Sequence, residues 1–335
     1  MSNLQLTIQT GDYEIVRALR DRSVRPDGID LVFPEFPGTR QLHGRVGSGE
    51  YDIGEYNAGG YMANRSRGVE MTALPVYLHR RFRHGFVFVN TSKGIKTPKD
   101  LIGKRVGGTN FAPAGNIWAR GILENDYDVP HESITWVIER DEDSTFDYHS
   151  GLKIERIRRG QDLDQMLIDG EIDAMISPNV ARGVLQGDPR VARLFPDHKD
   201  VEIDYYRATG IFPIMHVTII REQIVRDNPW VVGSLLDAFH RAKEMAYARL
   251  TNPRVVPLAW YQTAWEEQRA LLGPDPWEYG LGPACRKNLE TMAHYVHQQG
   301  LTASTMTLES MFPPAAFDWR PPASDVLAKA EATLR

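Results

Sequence analysis

Three arginines and a histidine crowd the run Arg80-Arg81-Phe82-Arg83-His84, at the head of an otherwise apolar stretch. A guanidinium is a planar fork of N–H donors that matches a carboxylate through two bonds at once. The run therefore suits a clamp for a small anion. On an extended chain Arg81 and Arg83 face one side, while Arg80, Phe82 and His84 face the other. The competing reading is a solvated hinge whose arginines pair with some of the 44 acidic residues. A second histidine, His216, closes the almost wholly apolar Gly210-Ile-Phe-Pro-Ile-Met-His216. Imidazole in such a setting needs a partner and, if isolated, stays neutral at pH 7. It is either a satisfied core group or a proton-transfer group. Asp12 and Tyr13 follow directly on an alternating apolar and polar segment, Leu4 to Thr10. Open α/β sheets place ligands just past the C-terminal ends of such strands, although Asp12 serves equally well as a helix cap.

The elements that must position these residues echo one another. A short helix over Thr39 to Ser48 leads into Gly49-Glu-Tyr-Asp52 and a short apolar strand. A second helix, Asp162 to Ile168, leads into Gly170-Glu-Ile-Asp173 and another such strand ending at Ser177. Repeats of this kind point to a duplicated supersecondary unit. Downstream of each unit the sequence predicts a long extended segment, Leu74 to His84 and Tyr205 to His216, running into a β-branched strand. Two such segments are what a two-lobed protein needs if its chain crosses between lobes twice. Lobe one is then 1–86 plus 216–335 and lobe two is 87–215, with His84 and His216 at the floor of the cleft. Lobe two carries its own α/β signals: a capped start at Thr97-Pro98, strands over Lys104 to Gly108, Ile134 to Glu139 and Ile154 to Ile157, and a helix from Gly115 to Tyr127. Arg140 to Gly151 reads as a loop. Helices are predicted from Asn228 to Leu250, with Val231, Leu235, Phe239, Ala242 and Met245 or Ala246 on one stripe, and from Pro283 to Gln299.

Composition narrows the chemistry. The 335 residues are 42% hydrophobic and 25% charged, enough for two lobes that each bury a core. A net charge of −5 gives no general attraction to nucleic acid or to an anionic membrane. The single cysteine, Cys285, excludes an intramolecular disulfide and any multi-cysteine metal site. There is no phosphate-binding Gly-Lys-Ser/Thr loop, no G-x-G-x-x-G, no H-E-x-x-H and no G-x-S-x-G. The first residues show no basic segment leading into an apolar one, so the expected location is the cytoplasm.

Four strings lie in order along nearly the whole chain: Arg81-Phe-Arg-His84, Trp118-Ala-Arg120-Gly-Ile-Leu123, Thr209-Gly-Ile-Phe-Pro-Ile-Met-His216 and Tyr279-Gly-Leu281. Together they resemble the 4,5-dihydroxyphthalate decarboxylase family. The resemblance implies an α/β, two-lobed fold of the type II periplasmic-binding-protein kind, with two crossover segments and a ligand cleft between lobes. It also implies loss of carbon dioxide from a hydroxylated aromatic dicarboxylic acid. On this basis the catalytic candidates are His216 and His84 as proton donors, with Glu55 and Asp12 as partners for a phenolic proton or the leaving carboxylate. The substrate-binding candidates are Arg81, Arg83, Tyr13, Asn110, Trp118, Ser177 and Thr209. No cofactor is expected; the alternative is a divalent metal held by Asp12, Glu55, His84 and His216. The expected partner is a small aromatic carboxylate, with no nucleic acid and no membrane, and a homo-oligomer is compatible. Departures from the family pattern at Glu14-Ile-Val16, Gly54-Glu-Tyr-Asn57 and Asn110-Phe-Ala-Pro113 leave room for a close analogue as substrate. The rival function is a non-catalytic receptor for a small aromatic carboxylate.

Overall fold

A computed structural model describes residues 3–142 and 151–322. In chain order the strands are β1 (Leu4–Gln9), β2 (Ile29–Val32), β3 (Ile53–Asn57), β4 (Met71–Leu74), β5 (Val87–Asn90), β6 (Arg105–Gly108), β7 (Thr135–Ile138), β8 (Lys153–Arg156), β9 (Ala174–Ile176), β10 (Val191–Arg193) and β11 (His216–Arg221). The helices are α1 (Arg17–Arg20), α2 (Thr39–Gly47), α3 (Ala58–Ser66), α4 (Ala114–Tyr127), α5 (Leu163–Asp169), α6 (Arg182–Leu185), α7 (His198–Thr209), α8 (Glu222–Asp227), α9 (Val231–Leu250), α10 (Tyr261–Leu272), α11 (Pro283–Gln298), α12 (Leu308–Met311) and α13 (Ala315–Asp318).

The strands form two sheets, ordered β2-β1-β3-β11-β4 and β10-β5-β9-β6-β7-β8. Three parallel strands in the first (β2, β1, β3) and four in the second (β8, β7, β6, β9) are followed by a reversed strand, β11 beside β3 and β5 beside β9. In each sheet the reversed strand is the one the chain enters directly from the other lobe. The Gly-Glu-x-Asp echoes occupy equivalent places, before β3 and before β9. Asp52 accepts the Thr7 N–H of the neighbouring parallel strand at 2.8 Å, and Asp173 accepts the Arg105 N–H at 2.8 Å. Gly49 and Gly170 turn the chain there in the left-handed region, at φ 76° and 72°, which glycine reaches without a Cβ penalty.

Two segments join the sheets, 75–86 and 210–215, and they run side by side. Arg80 pairs with Ile214, the Arg81 N–H bonds the Pro213 carbonyl, and the His79 carbonyl accepts the Met215 N–H. The second crossing is shorter than the extended Tyr205 to His216 segment the sequence predicts, because residues 198–209 form α7. That helix buries only Tyr205, so it shows no apolar stripe to read. Helix α10 was equally invisible, for it buries no residue at all. The first helical stretch is a 3-10 turn followed by α1, and Pro98–Leu101 is likewise 3-10, held by the Thr97–Asp100 capping box. Of the expected loop Arg140 to Gly151, residues 143–150 lie outside the described residues.

On α9 the buried stripe runs through Val231, Leu235, Phe239, Ala242 and Ala246, leaving Met245 on the surface. Helix α11 packs on both α3 and α4 and so braces the two lobes. It lies so close that a Cβ at Gly121 would fall within 2.1 Å of the Tyr295 ring. Among the described residues no helix is long and apolar enough to cross a membrane.

Candidate active site

The site is built where β3 and β11 lie side by side. Glu55 sits in the middle of β3 with no exposed surface, and His216 opens β11 with 16% of its side chain exposed. His216 Nδ1 lies 2.5 Å from Glu55 Oε1. The same oxygen accepts the Tyr13 O–H at 2.8 Å, and Oε2 accepts the Gly11 N–H at 2.7 Å. Burial alone pushes the Glu55 carboxyl up. The charge and hydrogen bond of His216, then His43 and the Gly11 N–H, outweigh it and hold the group down at about 2. The Tyr13 phenol moves the other way: burial, then the Glu55 charge, raise it well above its ordinary value.

Local sequence explains these positions. The Tyr13 ring folds back over Gly11, where a Cβ would lie 2.7 Å from ring carbons, so only glycine lets the phenol reach Glu55. Arg20, stacked on Phe33, donates to the Thr10 and Gly11 carbonyls and braces this loop. Gly54 admits Val46 of α2 onto β3, since a Cβ there would meet the Val46 methyls at 2.5 Å. That approach carries His43, three residues earlier on α2, to the His216 ring, with centroids 4.6 Å apart. His79, from the first crossing, lies 4.7 Å from His216. Burial, then His216, lower both flanking imidazoles to about 3.

The arginines divide. Arg80 turns away, donating to the Glu278 carbonyl and to Cys285 Sγ, with its guanidinium over Tyr77. Arg81 and Arg83 share the Phe86 ring and donate to the Pro178 and Ser177 carbonyls. None of the three makes an ion pair with an acidic side chain among the described residues, so the hinge-pairing reading is set aside. Burial, then Arg81, press Arg83 down to about 9. Arg81 acts electrically on both Tyr13 and His79. It also lines a cavity of about 510 Å³ walled by Phe82, Phe86 and Phe212, with Asn179 and Glu202.

Several candidates are placed differently from expectation. His84 does not join the cluster: it is 2% exposed and caged by Phe195, Tyr205 and Tyr127, with neither ring nitrogen partnered among the described residues. Burial lowers it to about 4. Asp12 is exposed, and its charge acts on Arg20. The four-residue metal set is therefore not assembled, and among the described residues no group of three or more His, Cys, Asp or Glu is placed to hold a metal ion. Trp118 is fully buried, and its N–H bonds the Ile214 carbonyl at 2.8 Å, which makes it a support of the second crossing. The Thr209 hydroxyl donates to the Tyr205 carbonyl at the end of α7, and the Ser177 hydroxyl accepts the Asn179 N–H. Asn110 accepts the Thr109 hydroxyl, while its carbonyl holds Asn116.

Sequence reasoning passed over His43, His79 and Arg20. His79 carried a usable signal, for it ends the apolar run Leu74-Pro-Val-Tyr-Leu-His79 just as His216 ends its own. His43 lies in a mixed helical stretch that marks nothing.

Residues 25–140 match the family model described as NMT1/THI5 like. The fold is similar to that of the periplasmic aliphatic sulphonate binding protein SsuA from Escherichia coli, with a TM-score of 0.56, 14% identity, and coverage of 96% of this chain and 93% of that one. Over 215 residues the chain is 31% identical to 4,5-dihydroxyphthalate decarboxylase from Pseudomonas putida, 62% of this chain and 83% of that protein. Over 330 residues it is 32% identical to 4,5-dihydroxyphthalate decarboxylase from Comamonas testosteroni, 95% of this chain and 99% of that protein. Identity at that level, held almost end to end, places this two-lobed α/β chain in the 4,5-dihydroxyphthalate decarboxylase family.

Proposed function

We propose that the protein is a carboxy-lyase that converts 4,5-dihydroxyphthalate, or a close analogue, to the dihydroxybenzoate with loss of carbon dioxide. The observation that carries the chemistry is the Glu55–His216 pair. A sealed carboxylate on Nδ1 fixes the ring and leaves Nε2 as the working nitrogen. In this reading the Nε2 proton passes to the ring carbon that bears the departing carboxylate. The bond from that carbon to the carboxylate breaks, its electron pair stays with the ring, and carbon dioxide leaves. One proton is consumed for each carbon dioxide released, so no oxidant or reductant is required. General acids at such positions contribute roughly 10²–10⁴-fold. Arg81, free of acidic partners among the described residues, holds the retained carboxylate, with Arg83 adding positive potential behind it. Tyr13 orients Glu55.

A receptor for an aromatic acid would need the arginines but not a buried carboxylate–imidazole pair. Carbon dioxide release from hydroxylated phthalates and benzoates, with and without a chelator, tests the reading. Turnover that persists in chelator and vanishes in His216→Ala supports it. Tight binding without turnover sinks it in favour of the receptor. The same reading assigns the enzyme to the cytoplasm, which cell fractionation checks.

A further inference from the structure

Glu55 and His216 account for the proton and Arg81 for one carboxylate, yet two more imidazoles stand in the site without a task. His43 arrives from α2 and His79 from the first crossing. Both meet the His216 ring nearly at right angles, at 69° and 70°. The Nδ1 of each is sealed and has no partner among the described residues, although each residue keeps part of its surface accessible. Buried nitrogens without partners are uncommon and costly. Phenylalanine or leucine would fill the same space without that cost. Two polar rings kept beside one acid where apolar rings would pack, each with surface left open away from its sealed Nδ1, point to a ligand that meets that open part.

Their charge state says what kind of ligand. Burial and the neighbouring His216 hold both rings neutral at ordinary pH. A neutral imidazole carries one donor and one acceptor nitrogen. A hydroxyl likewise donates and accepts, so the two match in either tautomer. A carboxylate only accepts, and its natural partner here is the Arg81 cation. Glu55 is not available to the ligand, because Gly11, Tyr13 and His216 already occupy its oxygens.

We propose that His43 and His79 are the specificity-determining residues of the site, hydrogen-bonding the ring hydroxyl groups so that a dihydroxylated aromatic acid is chosen over the same acid without hydroxyls. This inference rests on the decarboxylase reading and names the groups that recognise its substrate class. Sites built to bond a hydroxyl reject analogues that lack it far more strongly than apolar pockets reject a missing methylene.

Calorimetric binding of 3,4-dihydroxybenzoate and of benzoate, neither of which carries the second carboxylate, provides the test. The wild-type protein binds the dihydroxy acid about 100-fold more tightly, roughly tenfold per hydroxyl. His43→Phe and His79→Phe each lower that preference about tenfold while benzoate affinity stays put. His43→Gln and His79→Gln, which keep a donor and an acceptor, recover part of it. An unchanged preference in the Phe variants overturns the proposal. So does a parallel loss of both acids, or a wild-type protein that does not distinguish them. Carbon dioxide release is read separately. A protein that shows the preference and its loss but releases no carbon dioxide keeps this assignment and loses the decarboxylase reading.

Discussion

His216 Nδ1 lies 2.5 Å from Glu55 Oε1, and the carboxylate is the more deeply buried partner. A buried carboxylate that also accepts from Tyr13 and Gly11 cannot be removed without orphaning three donors at once. Glu55→Gln keeps the shape but loses the anion that orients the imidazole. Its kcat is expected to fall about 100-fold, and that of His216→Ala about 10²–10⁴-fold. Steady-state kinetics on folded variants, checked by circular dichroism, decide the matter; retention of half the wild-type rate in either would discard the pair as the acid.

Arg81 is the least buried member of the arginine run, half-buried where Arg80 and Arg83 are buried, and has no acidic partner among the described residues. Arg81→Gln is expected to raise KM about 10- to 100-fold with a smaller change in kcat, because it removes binding shared by ground and transition states. A kcat effect larger than the KM effect would move Arg81 from binding to chemistry.

Gly54 is the point where α2 rests on β3. Gly54→Ala forces its Cβ into the Val46 methyls, which must retreat together with the helix that carries His43. Overpacking of this kind costs roughly 1–3 kcal/mol. Thermal melting should show that loss, and the hydroxyl preference of the site should weaken alongside it. A variant with unchanged melting and preference would mean that α2 is not seated as described.

His43, His79 and His84 share one consequence. All three have folded-state values well below the ordinary imidazole range, at about 3, 3 and 4. Below about pH 6.5 the unfolded chain takes up protons at these positions and the folded protein does not. Stability therefore falls as the pH drops from about 6.5 towards 4, by up to ~1.4 kcal/mol per pH unit for each group. Glu55, depressed below its unfolded value, adds its own loss only below about pH 4.5. Urea titrations at pH 7, 6 and 5 measure the slope, and a flat profile over that range would contradict the buried neutral rings.

His84→Phe separates this stability effect from catalysis. The new ring joins Phe195, Tyr205 and Tyr127 and removes one group that resists protonation. The acid slope should become shallower, with turnover within a few-fold of wild type. Loss of activity at unchanged stability would return His84 to the chemistry.

How much of this could be read beforehand follows from what each residue's neighbours advertise. His216 and the arginine run stood out because polar groups interrupt apolar sequence. The doubled Gly-Glu-x-Asp turn announced two similar sheets because it is a local device, each aspartate tying down the next parallel strand. His84 and His216 do occupy comparable places, ahead of β5 and at the start of β11. Their surroundings differ, since one enters an aromatic cage and the other meets a carboxylate. Sequence position carries topology, whereas the partner comes from another strand. His43 was illegible for that reason: its role depends on Gly54, eleven residues away and on a different element, and helices α7 and α10 bury too little to leave a periodic trace.

The side-chain oxygen of Asn57 accepts N–H groups from Gly59 and Gly60 at the head of α3 and from Ala114 at the head of α4. Two of these donors belong to the lobe of Asn57 and the third to the lobe opposite. Parting the lobes thus withdraws one donor of three and hands it to water, a change of about 1 kcal/mol. One side-chain oxygen ties the heads of two helices from opposite lobes, adding the strength of a single hydrogen bond to the bracing that α11 already supplies.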